Sequence, residues 1–283
     1  MKNKEFLFIY DAAMCNPNGD PDQENKPRID RKTRTNLVSD GRLKRYIRDY
    51  LEEEGNDIFV SMDEGRKISV EKKLHKTIKS ISNEKEKFDT LVQRHTKLKN
   101  AFQNFDSFVK AKKSYQEFYK SNLPLEADTD KVAKKKWKDL GSINNELLVA
   151  LVKENLIDIR FFGGAFAVAG FSNTFIGSIQ INWGYSLHPV ELIDSNSIVT
   201  IMSGNTEGES NIGKKEGLYY SLIAFTGTIN AKRAMELNMD DDDINKFRNS
   251  IIKSLYSTRT DSKKNQYPRL YLEIEYNDDA CYG

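Results

Sequence analysis

Histidine and cysteine are scarce in this chain, three of one and two of the other in 283 residues. His75, His95 and His188 stand in no spacing that binds a metal or serves a nucleophile. His188 precedes Pro189 and reads as structural. Cys15 and Cys281 make neither a disulfide framework nor a zinc site. Gly-x-Ser-x-Gly, a Walker-type loop and Cys-x-x-Cys are all missing. No apolar run approaches the ~18 residues of a membrane-spanning helix. The apolar run Phe6–Tyr10 is too short for a signal h-region and has no small-residue cleavage site after it. Cytoplasm is therefore the expected compartment, with no membrane partner. What remains is a chain of 38% apolar and 30% charged residues, the composition of a soluble globular protein. Its length suits one large domain, or one domain carrying a sizeable insertion.

The charge is unevenly spread. Residues 1–140 hold 31 basic and 24 acidic side chains, and residues 141–283 hold 13 and 18. The sharpest concentration runs from Lys26 to Arg48, with nine Lys or Arg against Asp30 and Asp40 alone. The whole chain is formally only +2. Such local charge suits a phosphate backbone better than a small neutral substrate. A merely solvated basic face is the alternative. Against it stand the near absence of interspersed acids and the preceding loop, Asn16-Pro-Asn-Gly-Asp-Pro-Asp22, whose residues favour turns and backbone-level contacts.

Hydrophobic periodicity gives the elements. Phe6 to Ala12 is apolar on both faces, as a central buried strand would be. A helix starts at Ser39 or Asp40, either of which can cap it, and carries the stripe Leu43, Tyr46, Ile47, Tyr50, Leu51. Lys44, Arg45 and Arg48 lie together off that stripe. Residues 64–155, rich in Lys and Glu with aromatic residues at helical spacing, read as a helical insertion. Ile157 to Phe162 reads as a strand, and Gly163, Gly164 and Gly170 as positions of tight turns or close approach. Ser178 to Trp183 alternates as a half-buried strand. Ser195 to Gly217 reads as a protruding hairpin or mobile loop, and Leu218 to Ile229 as a strand apolar on both faces. Asp240 to Asp243 opens a helix with Ile244, Phe247, Ile251 and Leu255 inward; Leu270, Leu272, Ile274 and Tyr276 make a last strand. The skeleton is βαββαβ, an α+β, ferredoxin-like or RRM-like arrangement.

The acidic residues invite a metal reading. Asp20-Pro-Asp22-Gln-Glu24 resembles half of a calcium loop, but the central Gly and distal Glu are missing. The plainer expectation is that Asp20, Asp22 and Asp30 bond loop amides and neighbouring arginines. Asp240 to Asp243 are expected as cap and dipole residues. No metal and no cofactor are implied.

Three stretches together resemble a known family. They are Asn16-Pro-Asn-Gly-Asp-Pro-Asp, then Pro27-Arg28-x-Asp30-x-x-Thr33, then Asp40-x-x-Leu43-Lys44-Arg45-x-Ile47-Arg48. They look like the backbone subunit of type I CRISPR effector complexes, the Cas7 family, in its I-B or I-C style. Asp158-Ile-Arg-Phe-Phe-Gly163, Gly177-Ser-Ile-Gln-Ile, Ser186-Leu-His-Pro-Val-Glu191 and Pro268-Arg-Leu-Tyr-Leu-Glu-Ile-Glu-Tyr276 follow in the expected order.

The resemblance implies a right-hand-like subunit in a prokaryotic cytoplasm. Its palm is an RRM-like core over residues 1–63 and 156–283, its fingers the helical insertion 64–155, its thumb a hairpin at about 195–217. It implies a non-catalytic binder of CRISPR RNA that polymerises along the spacer beside other Cascade subunits. Target DNA is met through the guide. By motif position, Ser39, Lys44, Arg45 and Arg48 match the helix on the RNA backbone, Asn16 and Asn18 its preceding loop, and Arg160 the basic residue before Gly163. Charge and location add Arg28, Arg34 and Arg259, and Met202 is a candidate wedge between bases. The rival expectation is a CRISPR-linked endoribonuclease on a ferredoxin-like core.

Overall fold

The structure, a computed structural model, describes residues 1–63, 66–67, 90, 93–94, 149–168, 171–193, 197–200, 211–214, 216–257 and 263–277. Nearly all of the insertion expected at 64–155 lies outside them. In chain order the elements are β1 (Lys4–Cys15), β2 (Gly19–Asp20), β3 (Lys26–Pro27), β4 (Thr35–Val38), α1 (Asp40–Glu53), β5 (Met62–Asp63), β6 (Arg66–Lys67), α2 (Ile157–Phe162), β7 (Gly163–Val168), β8 (Phe171–Ile176), β9 (Ile179–Ile181), β10 (Gly184–Pro189), β11 (Ser197–Thr200), β12 (Asn211–Lys214), β13 (Leu218–Ile229), α3 (Ala231–Glu236), α4 (Asp241–Ser257) and β14 (Gln266–Glu275). They fall into two units. One comprises Met1–Glu54, Ile179–Ala231 and Asp241–Gly283; the other comprises Gly55–Ser178 and Lys232–Asp240.

The first unit is built on an antiparallel sheet in the order β14–β1–β13–β10–β4, with β9 also on β13. β1 pairs with β13 without a slip from Lys4↔Ile229 to Cys15↔Leu218. Alternation sends Phe6, Phe8, Tyr10 and Ala12 to one face, where all are buried. α1 and α4 pack on each other, and α4 packs on β14. Phe247 of α4 meets Phe6 edge-on, with ring centroids 5.5 Å apart. Ile244, Phe247, Ile251 and Leu255 are buried as their spacing requires, as are Leu43, Tyr46, Ile47 and Leu51 of α1.

Two differences from the sequence reading concern strand faces. β1 is central, but over its first half only the even-numbered side chains are buried; Glu5, Leu7 and Ile9 are half-buried. In β14 the apolar alternation points outward, leaving Leu270 45%, Leu272 49% and Ile274 53% exposed. The polar set turns to the helix instead. Arg248 of α4 donates to Glu273 through Nε (3.0 Å) and Nη2 (2.5 Å), and the Tyr271 hydroxyl donates to Glu273 at 2.7 Å. Those donors hold the Glu273 carboxyl below its ordinary range although burial opposes them.

In the second unit, Ile157–Phe162 is a helix, not a strand. The alternation Ile-Asp-Ile-Arg-Phe misleads because Ile157, Asp158, Ile159 and Phe161 are all buried. No solvent face exists to impose a period of two. The buried Asp158 carboxylate accepts the Phe59 amide (2.6 Å) and the Val60 amide (3.3 Å), so its charge serves backbone donors. Asp158→Asn keeps one acceptor and loses the other, and will lower stability by about 1–2 kcal/mol in a denaturant melt. A variant as stable as the parent would show those amides to be satisfied elsewhere.

Gly163 ends α2 with φ +75°, its amide bonded to the Ile159 carbonyl. β7 and β8 then form an antiparallel pair. A Cβ on Gly163 would stand 2.2 Å from the Phe175 carbonyl oxygen. The expected close approach is therefore real, although the glycines begin a strand rather than a loop.

Candidate nucleic-acid interface

The basic segment from Lys26 to Arg48 lies wholly in the first unit, together with its preceding loop. That loop is closed by its own polar groups. Asp20 caps a 3-10 turn at Pro21–Gln23 by accepting the Asp22 amide at 3.3 Å, and it pairs with Arg28 at 3.1 Å. The Asn16 side-chain amide donates to the Asn25 carbonyl at 2.6 Å. Asp30 Oδ1 accepts from the Lys32 amide, the Thr33 amide and the Thr33 hydroxyl at 2.8–3.0 Å. Those bonds, Thr33's first, hold the Asp30 carboxyl below its ordinary range. Asp20 and Asp30 thus do the loop-bonding work expected of them. Among the described residues no group of three or more His, Cys, Asp or Glu stands close enough to hold a metal ion.

Asn16 and Asn18 are both buried, at 6% and 7% exposure, and each keeps one polar atom without a partner: Asn16 Oδ1 and Asn18 Nδ2. Arg34 sits at φ +57° and reaches the Val190 carbonyl at 3.3 Å. The loop is thus closed by its own hydrogen bonds, with unspent hydrogen-bonding capacity in its two asparagines.

Ser39 is the cap of α1; its hydroxyl accepts the Arg42 amide at 3.2 Å. That oxygen is therefore engaged in holding the helix. Lys44 pairs with Asp40 at 2.8 Å, and Arg45 pairs with Asp49, both one turn apart on α1. Partly exposed pairs of this kind stabilise a helix by about 0.3–0.5 kcal/mol each. They are weak enough for a phosphate to displace. Arg48 stands one turn beyond Lys44, half-buried.

Arg160 belongs to the second unit and is a fastener there. Its Nη1 donates to the Lys153 and Glu154 carbonyls at 2.7 and 2.9 Å, tying α2 to the end of the preceding helical turn. Met202 and Arg259 lie outside the described residues. So do His75 and His95.

His188 has both ring nitrogens engaged. Nε2 accepts the Leu222 amide at 3.2 Å, which leaves the proton on Nδ1 to donate to the Pro189 carbonyl at 2.8 Å. The ring stacks on Tyr220, with centroids 5.6 Å apart. A histidine held this way is a structural bracket rather than a base.

Two cations escaped the sequence reading. Arg42, in the first turn of α1, lies over the Tyr46 ring with its guanidinium carbon 4.1 Å from the centroid. Lys263, in the turn before β14, donates through Nζ to the Asn16 carbonyl. The spacing of Arg42 and Tyr46, four residues apart, was a usable signal; nothing local marked Lys263. The face of the sheet away from α4 also carries a depression of about 490 Å³, lined by Glu5, Leu7, Thr226, Thr228, Leu272 and Ile274 among others. Its lining is mostly apolar, with Asn182, two threonines and one acid but no cation, and does not suit a phosphate.

A family model described as "CRISPR-associated protein Cas7" matches residues 2–281. A protein of Haloferax volcanii named "CRISPR-associated protein Cas7" is 26% identical over 283 aligned residues, covering 98% of this chain and 72% of the relative. Among solved structures, a chain of a "CRISPR RNA-guided surveillance complex, pre-nicking" aligns with a TM-score of 0.49 at 13% identity, covering 99% of this chain and 83% of that one. A chain of another "CRISPR RNA-guided surveillance complex" aligns with a TM-score of 0.44 at 11% identity, covering 95% and 68%.

Proposed function

This chain belongs to the CRISPR-associated protein Cas7 family, and from that premise we propose that it is a non-catalytic backbone subunit that binds CRISPR RNA in a type I-B-style Cascade complex. Copies polymerise along the spacer, holding phosphates and leaving bases free to pair with target DNA. The family match across residues 2–281 carries the reading. The basic helix α1, set behind an asparagine-rich loop, is what the site adds.

The palm is the sheet of the first unit, read as RRM-like. Supporting this is the strand order β14–β1–β13–β10, with α1 following β1 and α4 preceding β14. The fingers are the insertion within residues 64–155. The thumb lies at about 195–217, where β11 and β12 pair antiparallel. With its flanking segments the palm takes in residues 1–63 and 156–283. Lys44, Arg45 and Arg48 contact phosphates, with Arg28 and Arg34 from the loop. Contacts of this kind fix register without reading sequence, as a scaffold for any spacer requires. Specificity is left to pairing between guide and target. Met202 as the base wedge, Arg160 and Arg259 as further contacts, and partnership with other Cascade subunits complete the reading. Bond-breaking is no part of it, and the engagement of both His188 nitrogens is in keeping with that. The setting is the prokaryotic cytoplasm; no described helix is long and apolar enough to cross a membrane.

The test is incubation with a CRISPR RNA at low salt, followed by native mass spectrometry and a denaturing gel. Several copies on one intact RNA are expected. Indifference to RNA in dilute buffer would discard the proposal. Specific RNA cleavage lost in Asp20→Ala would replace it with a nuclease.

A further inference from the structure

Where the end of β1, the first turn of α1 and the start of β14 meet, two cations stand near each other without an acid. Lys263 donates to the Asn16 carbonyl, and Arg42 lies over Tyr46. Gln266 links the ring beneath Arg42 to the main chain of Lys263: its Nε2 donates to the Tyr46 hydroxyl at 3.0 Å and to the Lys263 carbonyl at 2.8 Å. The nearby acid of β1, Asp11, is bound instead by Arg269, through Nε at 2.8 Å and Nη2 at 2.7 Å. Among the described residues no carboxylate pairs with Arg42 or Lys263.

Two buried donors of this cluster also lack an acceptor, Arg42 Nε and the Tyr10 hydroxyl, whose residue is wholly buried; the acceptors Asn16 Oδ1 and Asp11 Oδ1 stand without donors. Burying cations and donors without an acceptor is costly. The cost shows on Lys263, whose ammonium is pulled down to about 8, by burial first and by Arg42 second. An arrangement that raises its own energy in this way is complementary to an oxyanion.

We propose that Arg42 and Lys263 close on one phosphodiester of a single-stranded nucleic acid. This subsite rests on the RNA-binding reading above and adds to it a contact reaching from the opposite end of the chain.

The subsite couples binding to a proton. A bound phosphate favours charged Lys263 and returns its pKa toward the ordinary value. Affinity is then full below pH ~8 and falls as pH rises, by up to about tenfold per unit. The other titratable neighbours hold steady there. Tyr10 and Tyr46 are pushed up by burial, and Cys15 is pushed up to about 11 by burial first.

The experiment measures anisotropy of a labelled, unstructured RNA with the full-length protein, across salt and from pH 7 to 9.5. Lys263→Met and Arg42→Met are each expected to weaken binding about tenfold at pH 7 and to lower the salt slope by about 0.7. Lys263→Arg is expected to bind as the parent at pH 7 and to lose the decline above pH 8. Melting curves report folding. Should the methionine variants unfold, the arginine variant still decides, because a retained decline overturns the proposal. Parent-like affinity and slope in both folded methionine variants overturns the subsite and leaves RNA binding intact. A parent protein that ignores RNA removes the reading beneath it. Inorganic phosphate forms the second arm. If it raises the melting temperature of the parent but not of Lys263→Met, while RNA affinity is the same in both, the site takes free phosphate and the proposal fails.

Discussion

Replacing Lys44, Arg45 and Arg48 together by glutamate will weaken RNA binding by about a thousandfold or more at low salt, and the protein will stay folded. The binding loss follows from charge. Three phosphate neutralisations vanish and three repulsions replace them. The salt slope should fall by about 2, at roughly 0.7 per single-strand contact. The folding claim follows from where these residues stand. All three lie off the stripe Leu43, Tyr46, Ile47, Leu51, which alone is buried. The substitutions turn the Lys44–Asp40 and Arg45–Asp49 pairs into like-charge neighbours, at a cost of about 0.5 kcal/mol each. A glutamate in the early turns of α1 is partly offset by the helix dipole. Anisotropy over a salt series gives the binding, and circular dichroism gives the fold. A folded triple variant that binds as the parent does would remove α1 from the interface.

Gly163→Ala will be the most damaging single methyl group in the second unit, lowering stability by about 3 kcal/mol or more. Two costs add. The backbone sits at φ +75°, ψ −177°, a region open in practice only to glycine. The new carbon would also stand 2.2 Å from the Phe175 carbonyl oxygen and 2.6 Å from the Gly177 nitrogen, both main-chain atoms that no rotamer can move. Gly55 separates the two costs. Its φ is +81°, yet nothing lies within 4 Å of where its Cβ would be. Gly55→Ala should therefore cost only about 1 kcal/mol. The contrast is read in paired denaturant melts. Equal losses for the two alanines would mean that β8 yields and that the Gly163 junction is soft.

The elements legible in the sequence were those whose periodicity meets one solvent face and one core face. α1 and α4 announced themselves by stripes that the structure buries, and β1 and β13 by segments with apolar residues on both faces. Ile157–Phe162 was misread because burial on every side erases the helical period. Alternation in β14 revealed a strand but not which face the helices cover. Arg248 decides that by claiming Glu273, and it sits on another element. The Asn16–Asp22 loop and the α1 cations were legible as a charge pattern. Their internal bonding was not, because Asp40 and Asp49 look like ordinary helix acids until Lys44 and Arg45 are seen against them. Lys263 was invisible. It stands in a polar turn, and its meeting with Asn16 is set by how β14 lies along β1.

The carboxylates of α1 shape how an empty subunit behaves. With Asp40 and Asp49 covering Lys44 and Arg45, its field at a distance is muted, so casual encounters with bulk cellular polyanions find little to hold them. A strand that arrives in register trades one partner for another at small cost. If copies assemble along one strand as proposed, loading becomes a contest between ligands, decided by fit along many subunits and not by the appetite of any one of them.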